Sequence, residues 1–185
     1  QYIKRAAKLG EKDAMFNYGL MLYQGKLISQ NKVEACKYFL LSANLGNADA
    51  MYYYALMKEN GDGVSYDIGD AISYYKKSAD LGNVQSMFNY ALIFKIGRYG
   101  YAINYTIAKK YFKKSADLNF VYSMPIYANM VRNTNKKEAM KYYNMSADQN
   151  YCFIKHQYAM MLYDGDFFNV DKKKAAKYLK QAADM

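Results

Sequence analysis

The apolar and polar positions fall into short helical patterns, separated by single glycines and asparagines. In one such pattern Ala71, Tyr74, Tyr75, Ser78 and Ala79 stand at i, i+3, i+4, i+7 and i+8. That spacing places them on one face of an α-helix, and lysines fill the other face. Asp67 precedes this helix as an N-cap, because its side-chain oxygen can accept an unpaired backbone N–H. Gly82 follows it where the chain needs a left-handed residue to stop. No stretch shows the period of two that a strand requires.

The same pattern returns along the whole chain. The first aromatic of the phrase recurs at Tyr2, Tyr38, Tyr74, Tyr111, Tyr142 and Tyr178, in steps of 36, 36, 37, 31 and 36 residues. Ala35, Ala71, Ala108, Ala139 and Ala175 keep this register, as do the caps Asn31, Asp67, Asn104, Asn135 and Asp171. Glu34 and Glu138 follow two of the caps at the third position, as in a capping box. The stop position holds Gly10, Gly46 and Gly82, then Asn119 and Asn150. Between these helices, termed B, lies a second set, termed A, with a small residue at Gly19, Ala55, Ala91, Ala128 and Ala159. Gly25, Gly61, Gly97 and Gly165 end the A helices.

A fixed period of this length is the mark of a stacked repeat, since one helix pair cannot bury its apolar stripe alone. The sequence therefore predicts an all-α protein of stacked antiparallel helix pairs, an α-solenoid of five A–B units with an extra B helix at the start. The expected units are residues 1–10 (partial), 11–46, 47–82, 83–119, 120–150 and 151–185 of a single array. The fourth unit is short, has no Gly-x-Gly loop and must turn at Asn133-Thr134. Its Pro125 lies early in helix A, so that helix should start late, with Ser123 as its cap. The chain opens inside a repeat and is expected to be a piece of a longer protein.

Composition narrows the function classes. Only Cys36 and Cys152 are present, which excludes a disulfide framework and favours a reducing, cytoplasmic compartment with the endoplasmic reticulum lumen left open. No apolar run approaches the ~20 residues that span a bilayer. Net charge is +10, carried almost wholly by lysine. Arg5, Arg98 and Arg132 are the only arginines, and arginine is the usual bidentate reader of bases, so nucleic acid is not an expected partner. His156, the single histidine, has no nucleophile or carboxylate at a motif spacing, and Gly97-Arg98-Tyr99-Gly100 lacks the ending of a phosphate loop. No catalytic residue, metal site or cofactor is expected.

The unit resembles the Sel1-like repeat, a relative of the tetratricopeptide repeat. The likeness is carried by Ala50-Met51, Tyr54-Ala55-Leu56, Gly61-Asp62-Gly63-Val64, Asp67, Ala71, Tyr74-Tyr75, Ser78-Ala79 and Leu81-Gly82-Asn83. It covers essentially the whole chain. The loops Gly25-Lys26-Leu27-Ile28 and Gly97-Arg98-Tyr99-Gly100-Tyr101 depart from the pattern. The resemblance implies a right-handed solenoid and a non-enzymatic adaptor that binds partner segments, peptide or helix, on the concave surface formed by the A helices.

In that register the groove candidates are Asp13, Phe16, Leu20, Tyr23 and Gln24, then Asp49, Tyr52, Leu56, Glu59 and Asn60. Gln85, Phe88, Leu92 and Lys95 follow, and then Phe153, His156, Met160, Tyr163 and Asp164. A second candidate surface is a basic ridge on the B helices: Lys76, Lys77, Lys109, Lys110, Lys113, Lys114, Lys136, Lys137 and Lys141. It continues through Lys172, Lys173, Lys174, Lys177 and Lys180 and suits an acidic protein surface. Two further roles stay open, an architectural part of a large, even cytoskeletal, assembly docked through that ridge, and a regulatory segment of a longer enzyme.

Overall fold

The computed structural model describes residues 2–149, 151–165 and 169–184. Among them are eleven α-helices and no strand. In order they are α1 (Tyr2–Lys8), α2 (Lys12–Gln24), α3 (Lys32–Asn44), α4 (Ala48–Asn60), α5 (Ile68–Asp80) and α6 (Val84–Ile96). Then come α7 (Tyr105–Asp117), α8 (Ser123–Val131), α9 (Lys136–Ala147), α10 (Cys152–Asp164) and α11 (Lys172–Ala183). The odd-numbered helices are the B helices and the even-numbered ones the A helices. Two compact units divide the chain, Gln1–Ala108 and Lys109–Met185, with the division falling inside α7. Within the first unit each helix from α1 to α6 packs on the next, and within the second the same holds from α8 to α11. No helix among the described residues is long and apolar enough to cross a membrane.

The turn from B to A follows from three residues. At Leu45-Gly46-Asn47 the Gly46 N–H donates to Ala43 O at 2.9 Å and the Asn47 N–H to Ser42 O at 3.2 Å. This pair of bonds is a Schellman closure, and it holds Gly46 at φ 85°. Asn47 then caps α4, its Oδ1 accepting from Ala50 N at 2.7 Å. Leu81-Gly82-Asn83 repeats every step, with Ser86 N as the capped donor. Asn119 fills the glycine slot at φ 62°. Asn150, placed in that slot by the sequence, lies outside the described residues.

The turn from A to B uses glycine twice, for two reasons. Gly61 closes α4 in the left-handed region at φ 67°. Gly63, at φ 71°, lies against the first residue of α3, where an added Cβ would sit 2.7 Å from the Lys32 carbonyl carbon. Asp62 between them pairs with the Lys32 ammonium at 2.8 Å. The loop of one repeat is thus fastened to the B helix of the repeat before it.

Packing explains the repeated aromatic. Tyr38, Tyr74, Tyr142 and Tyr178 each meet the helix-A tyrosine of their own repeat edge to face, at centroid distances of 4.9, 4.6, 5.0 and 5.1 Å. Such pairs add about 0.5–1.5 kcal/mol beyond the area they bury. The next position carries a fully buried side chain in three repeats, Phe39, Tyr75 and Phe112, and a buried Tyr143 in the fourth, whereas Leu179 is half-buried. Gly19 lets α3 approach closely, since a Cβ there would meet the Phe39 ring at 2.9 Å.

The fourth repeat departs where the sequence marks it. Helix α8 has nine residues where α4 and α6 have 13, and Pro125 stands at its third position. Ser123 is not its cap. It is the first helical residue, and its hydroxyl donates to Ser115 Oγ at 2.8 Å, as Ser86 does to Ser78 at 2.7 Å one repeat earlier. As the first helical residue, Ser123 stands one position past the cap, and its hydroxyl joins this buried serine pair. Residues 132–134 form the turn that follows, with Thr134 N donating to Val131 O.

Candidate interaction surfaces

The A helices of the first unit use many of their polar candidates internally. Asn47 Nδ2 donates to Asp13 Oδ1 at 2.9 Å, and Asn83 Nδ2 donates to Asp49 Oδ1 at 2.8 Å. The caps of α4 and α6 therefore each tie to the first turn of the A helix before it. Glu59 accepts from the Tyr75 hydroxyl at 2.5 Å and the Tyr99 hydroxyl at 2.6 Å. The Arg98 guanidinium lies 3.9 Å from the same carboxylate. Burial, then the Glu59 carboxylate, pushes the Tyr99 hydroxyl up to about 12 and raises Tyr75 as well. Tyr99 reaches Glu59 from a short 3-10 turn at Arg98–Gly100, where its own φ is 57°.

The apolar candidates of this unit are half-buried. Phe16 and Tyr23 pack against Phe39 and Tyr53, with ring centroids 5.8–6.2 Å apart. Tyr52 lies edge-on to Tyr53 at 5.3 Å. Leu20, Leu56, Phe88, Leu92 and Lys95 are also half-buried, whereas Gln24, Asn60 and Gln85 are exposed. Asn60 turns its amide back onto Leu56 O at 2.8 Å. Tyr53 belongs with this cluster, although sequence register leaves it out. Its stacking on Phe39 at 5.2 Å is a contact between helices that local spacing does not report.

Helix α10 is different. Phe153, Met160 and Tyr163 are 67%, 38% and 49% exposed, and His156 and Asp164 are exposed too. These positions, i, i+3, i+7 and i+10 with Asp164 at the edge, form one face. Ile154 stands where the other A helices carry Ala14, Ala50, Ser86 and Ser123. This larger side chain is buried, and α10 packs less extensively on α9 than α4 does on α3. Beside it opens a cavity of about 460 Å³, lined by Phe153, Ile154, His156 and Met160 together with Pro125 and Asn129. The signal for this cavity in the sequence is the bulky residue at a small-residue position.

The lysines divide into two groups. Lys77, Lys109, Lys110, Lys114, Lys137, Lys141, Lys173, Lys177 and Lys180 are exposed on the B helices, and Lys136 also lies on the surface. Lys76 is exposed but pairs with Asp80 at 2.8 Å. Lys77, Lys110, Lys114 and Lys141 lie over the rings of Tyr74, Tyr111, Tyr111 and Tyr142. Lys113 and Lys174 are only partly exposed and are engaged by neighbouring side chains. Lys113 bonds Glu138 Oε1 at 3.0 Å and Tyr142 OH at 3.1 Å, and lies 3.5 Å from Asp117. The Tyr142 bond, then the Glu138 bond, raises its pKa, and the Lys113 bond in turn lowers that of Glu138. Lys174 is half-buried and bonds Tyr158 OH at 3.0 Å and Asn144 Oδ1 at 3.2 Å.

Among the described residues no group of three or more His, Cys, Asp or Glu side chains could hold a metal ion. Cys36 is buried, and burial pushes its thiol pKa up, whereas Cys152 is exposed.

Solved structures share this architecture. The protective antigen c5321 of uropathogenic Escherichia coli, which displays an SLR fold, matches with a TM-score of 0.88 at 22% identity, over 99% of this chain and 40% of its own. A Sel1 repeat protein of Oxalobacter formigenes matches with a TM-score of 0.88 at 21% identity, over 99% of this chain and 77% of its own. YrrB, a TPR protein with an unusual peptide-binding site, matches more distantly, with a TM-score of 0.53 at 16% identity over 100% of this chain and 92% of its own. At these identities the likeness is one of fold. This chain spans less than half of the first of these proteins. A comparison with curated proteins gave no significant match. The profile of the family described as Sel1 repeat matches residues 12–47, 48–83, 84–120, 129–151 and 155–185. Those segments take in nearly every helix pair described above, and the chain belongs to the Sel1 repeat family.

Proposed function

We propose that the chain is a non-enzymatic protein–protein interaction scaffold that engages a partner segment through its A helices, with α10 as the principal contact. The carrying observation is the exposed face of α10, where Phe153, Met160 and Tyr163 stand out at helical spacing with His156 among them. Large apolar side chains presented together on one helix face are the usual anchors of a protein interface. The neighbouring cavity is about 460 Å³, the size of site that accepts one or two side chains of a bound segment. Much of the polar chemistry elsewhere on the A helices is already committed to the stack, as at Asp13, Asp49 and Glu59. A peptide-binding site on YrrB supports the reading at the level of fold.

The test is capture of partners by the immobilised chain, quantified by mass spectrometry. Phe153→Asp and Met160→Asp change exposed positions and leave the core untouched. Both should abolish recovery of the partners that the unaltered chain retains. Recovery that is unchanged in both variants would overturn the assignment.

A further inference from the structure

In three B helices, α5, α9 and α11, the third residue meets the tyrosine of its own A helix. At Asp70 the carboxylate accepts from Tyr54 OH at 2.9 Å, and Lys58 lies 3.7 Å away. At Glu138 it accepts from Tyr127 OH at 3.0 Å and from Lys113 at 3.0 Å. At the equivalent place in α11 the charge is inverted, because Lys174 is the third residue after the cap Asp171. Its ammonium has two neutral bonding partners, Tyr158 OH and Asn144 Oδ1. Among the described residues it makes no ion pair. A half-buried cation held only by neutral groups favours an anion brought from outside.

There is room for one. Lys174 lines a cleft of about 350 Å³ with Met140, Asn144, Tyr158, Leu162 and Val170. This cleft shares Lys136, Met140 and Asn144 with a broader hollow of about 790 Å³, along which Lys137 and Lys141 stand. Two carboxylates also line these spaces. Glu138 is held by Lys113, and Asp171 caps the Lys174 N–H at 2.9 Å. The second unit as a whole carries 14 Lys and Arg against seven Asp and Glu, for a balance of +7, whereas the first carries 12 against nine, for +3.

We propose that this cleft seats an acidic, amphipathic peptide segment of a partner protein, with one carboxylate on Lys174, a neighbouring apolar side chain against Met140 and Val170, and Lys137 and Lys141 facing further acidic residues. The proposal rests on the scaffold reading and names the chemistry of one partner segment. The lining sets Met140, Leu162 and Val170 beside Lys136 and Lys174, a mixture of apolar and cationic groups that complements such a segment.

The experiment is fluorescence anisotropy on the full chain, with a labelled nonapeptide of alternating Glu and Leu. A second peptide carries Gln in place of Glu. Lys174→Gln keeps a donor for Tyr158 and Asn144 and preserves the fold, which circular dichroism verifies. The Glu peptide should bind, the Gln peptide should bind at least about tenfold more weakly, and Lys174→Gln should weaken the Glu peptide by about tenfold or more. Lys76→Gln, in the first unit, should leave binding unchanged. The proposal is overturned if the unaltered chain does not bind the Glu peptide. It is also overturned if Lys174→Gln binds as tightly as the unaltered chain, or if Lys76→Gln weakens binding equally. The same titration with phosphatidylserine vesicles identifies the other source of anions. A Lys174 effect confined to vesicles sinks the peptide assignment. Loss of peptide binding with partner capture through Phe153 and Met160 intact overturns the cleft alone, not the scaffold.

Discussion

The side-chain amide of Asn83 donates to the Asp49 carboxylate across 2.8 Å while its carbonyl oxygen accepts from Ser86 N at 2.7 Å. One residue thus starts a helix and ties that helix to the previous repeat. Asn83 is buried and its cap bond to Ser86 is made away from water, whereas its bond to Asp49 reaches an exposed carboxylate. Asn83→Ala should lower stability by about 2 kcal/mol, about 1 from the cap and about 1 from the inter-repeat bond. Asn83→Ser retains an N-cap oxygen but cannot reach Asp49, and should lose about half as much. Urea unfolding followed by circular dichroism separates the two, and equal losses would show that the Asp49 bond contributes nothing.

Glycines at two turns make a paired prediction. Gly46 has φ 85° and no atom within 4 Å of an added Cβ, so its requirement is conformational alone. Gly46→Ala should cost about 1 kcal/mol, and Gly46→Asn less, because asparagine tolerates the left-handed region. Asn119 already occupies the equivalent slot at φ 62°. Gly63 adds a steric demand, since its Cβ would lie 2.7 Å from Lys32 backbone. Gly63→Ala should therefore cost clearly more than Gly46→Ala, and Gly63→Asn should give no relief. Midpoints of urea unfolding for the four variants check the ranking.

These two cases show what the sequence carries and what it does not. Turn residues such as Gly46, Gly61 and Asn47 are legible because the backbone restricts their type, and the restriction recurs at a fixed period. The aromatic stripe is legible for the same reason. Ser123 is misread because local spacing cannot reveal that the helix already begins at Ser123, with its hydroxyl directed to Ser115 eight residues earlier. The candidate surface is legible only as a helix face. Whether a side chain on that face is free depends on partners from other repeats: Asp13 is claimed from 34 residues away and Glu59 by Tyr99 from 40. Lys113 and Lys174 read alike in sequence as ridge lysines. The difference between them is the residue at the capping-plus-three position: for Lys113 it is Glu138 of the next B helix, which pairs with it, and for Lys174 it is Lys174 itself.

Glu138 supplies a prediction in acid. Its bonds to Lys113 and Tyr127 hold its pKa below the ordinary glutamate value. A carboxyl group depressed in the folded state stabilises the fold above its unfolded pKa, and this contribution is lost as pH falls through the folded value. Glu138→Gln should therefore destabilise the chain at pH 7 and narrow the gap to the unaltered protein as pH drops below about 4. Urea midpoints between pH 3 and 7 measure this, and a gap that stays constant with pH would exclude an ionic role for the carboxylate. Because Lys113 is left beside Asp117, the effect should be modest, about 1 kcal/mol at neutral pH.

In alkali the tyrosines dominate. Burial, followed by the Glu138 bond, pushes Tyr127 up to about 12, and burial with the Glu59 bond takes Tyr99 to about 12. Tyr54, Tyr75 and Tyr178 are raised by the same two causes, with Asp70, Glu59 and Asp148 as their acceptors. For a phenol the raised pKa means that the neutral, donating form is favoured by the fold. Its contribution is complete below the unfolded value near 10 and disappears as pH rises through the folded value. Stability should therefore hold to about pH 10 and fall steeply between 10 and 12, as each ionising hydroxyl turns a hydrogen bond to a carboxylate into a repulsion. Absorbance of tyrosinate, followed together with helical circular dichroism, should show an early group of exposed tyrosines titrating without loss of helix. A later group should then titrate only as the helices unfold. Titration of all 23 tyrosines in a single transition near pH 10, with the helices intact, would contradict the tyrosine–carboxylate bonds. Glu59→Gln offers the finer control, since it removes the charge opposite both Tyr75 and Tyr99 and should bring part of the late group forward while leaving Tyr178 behind.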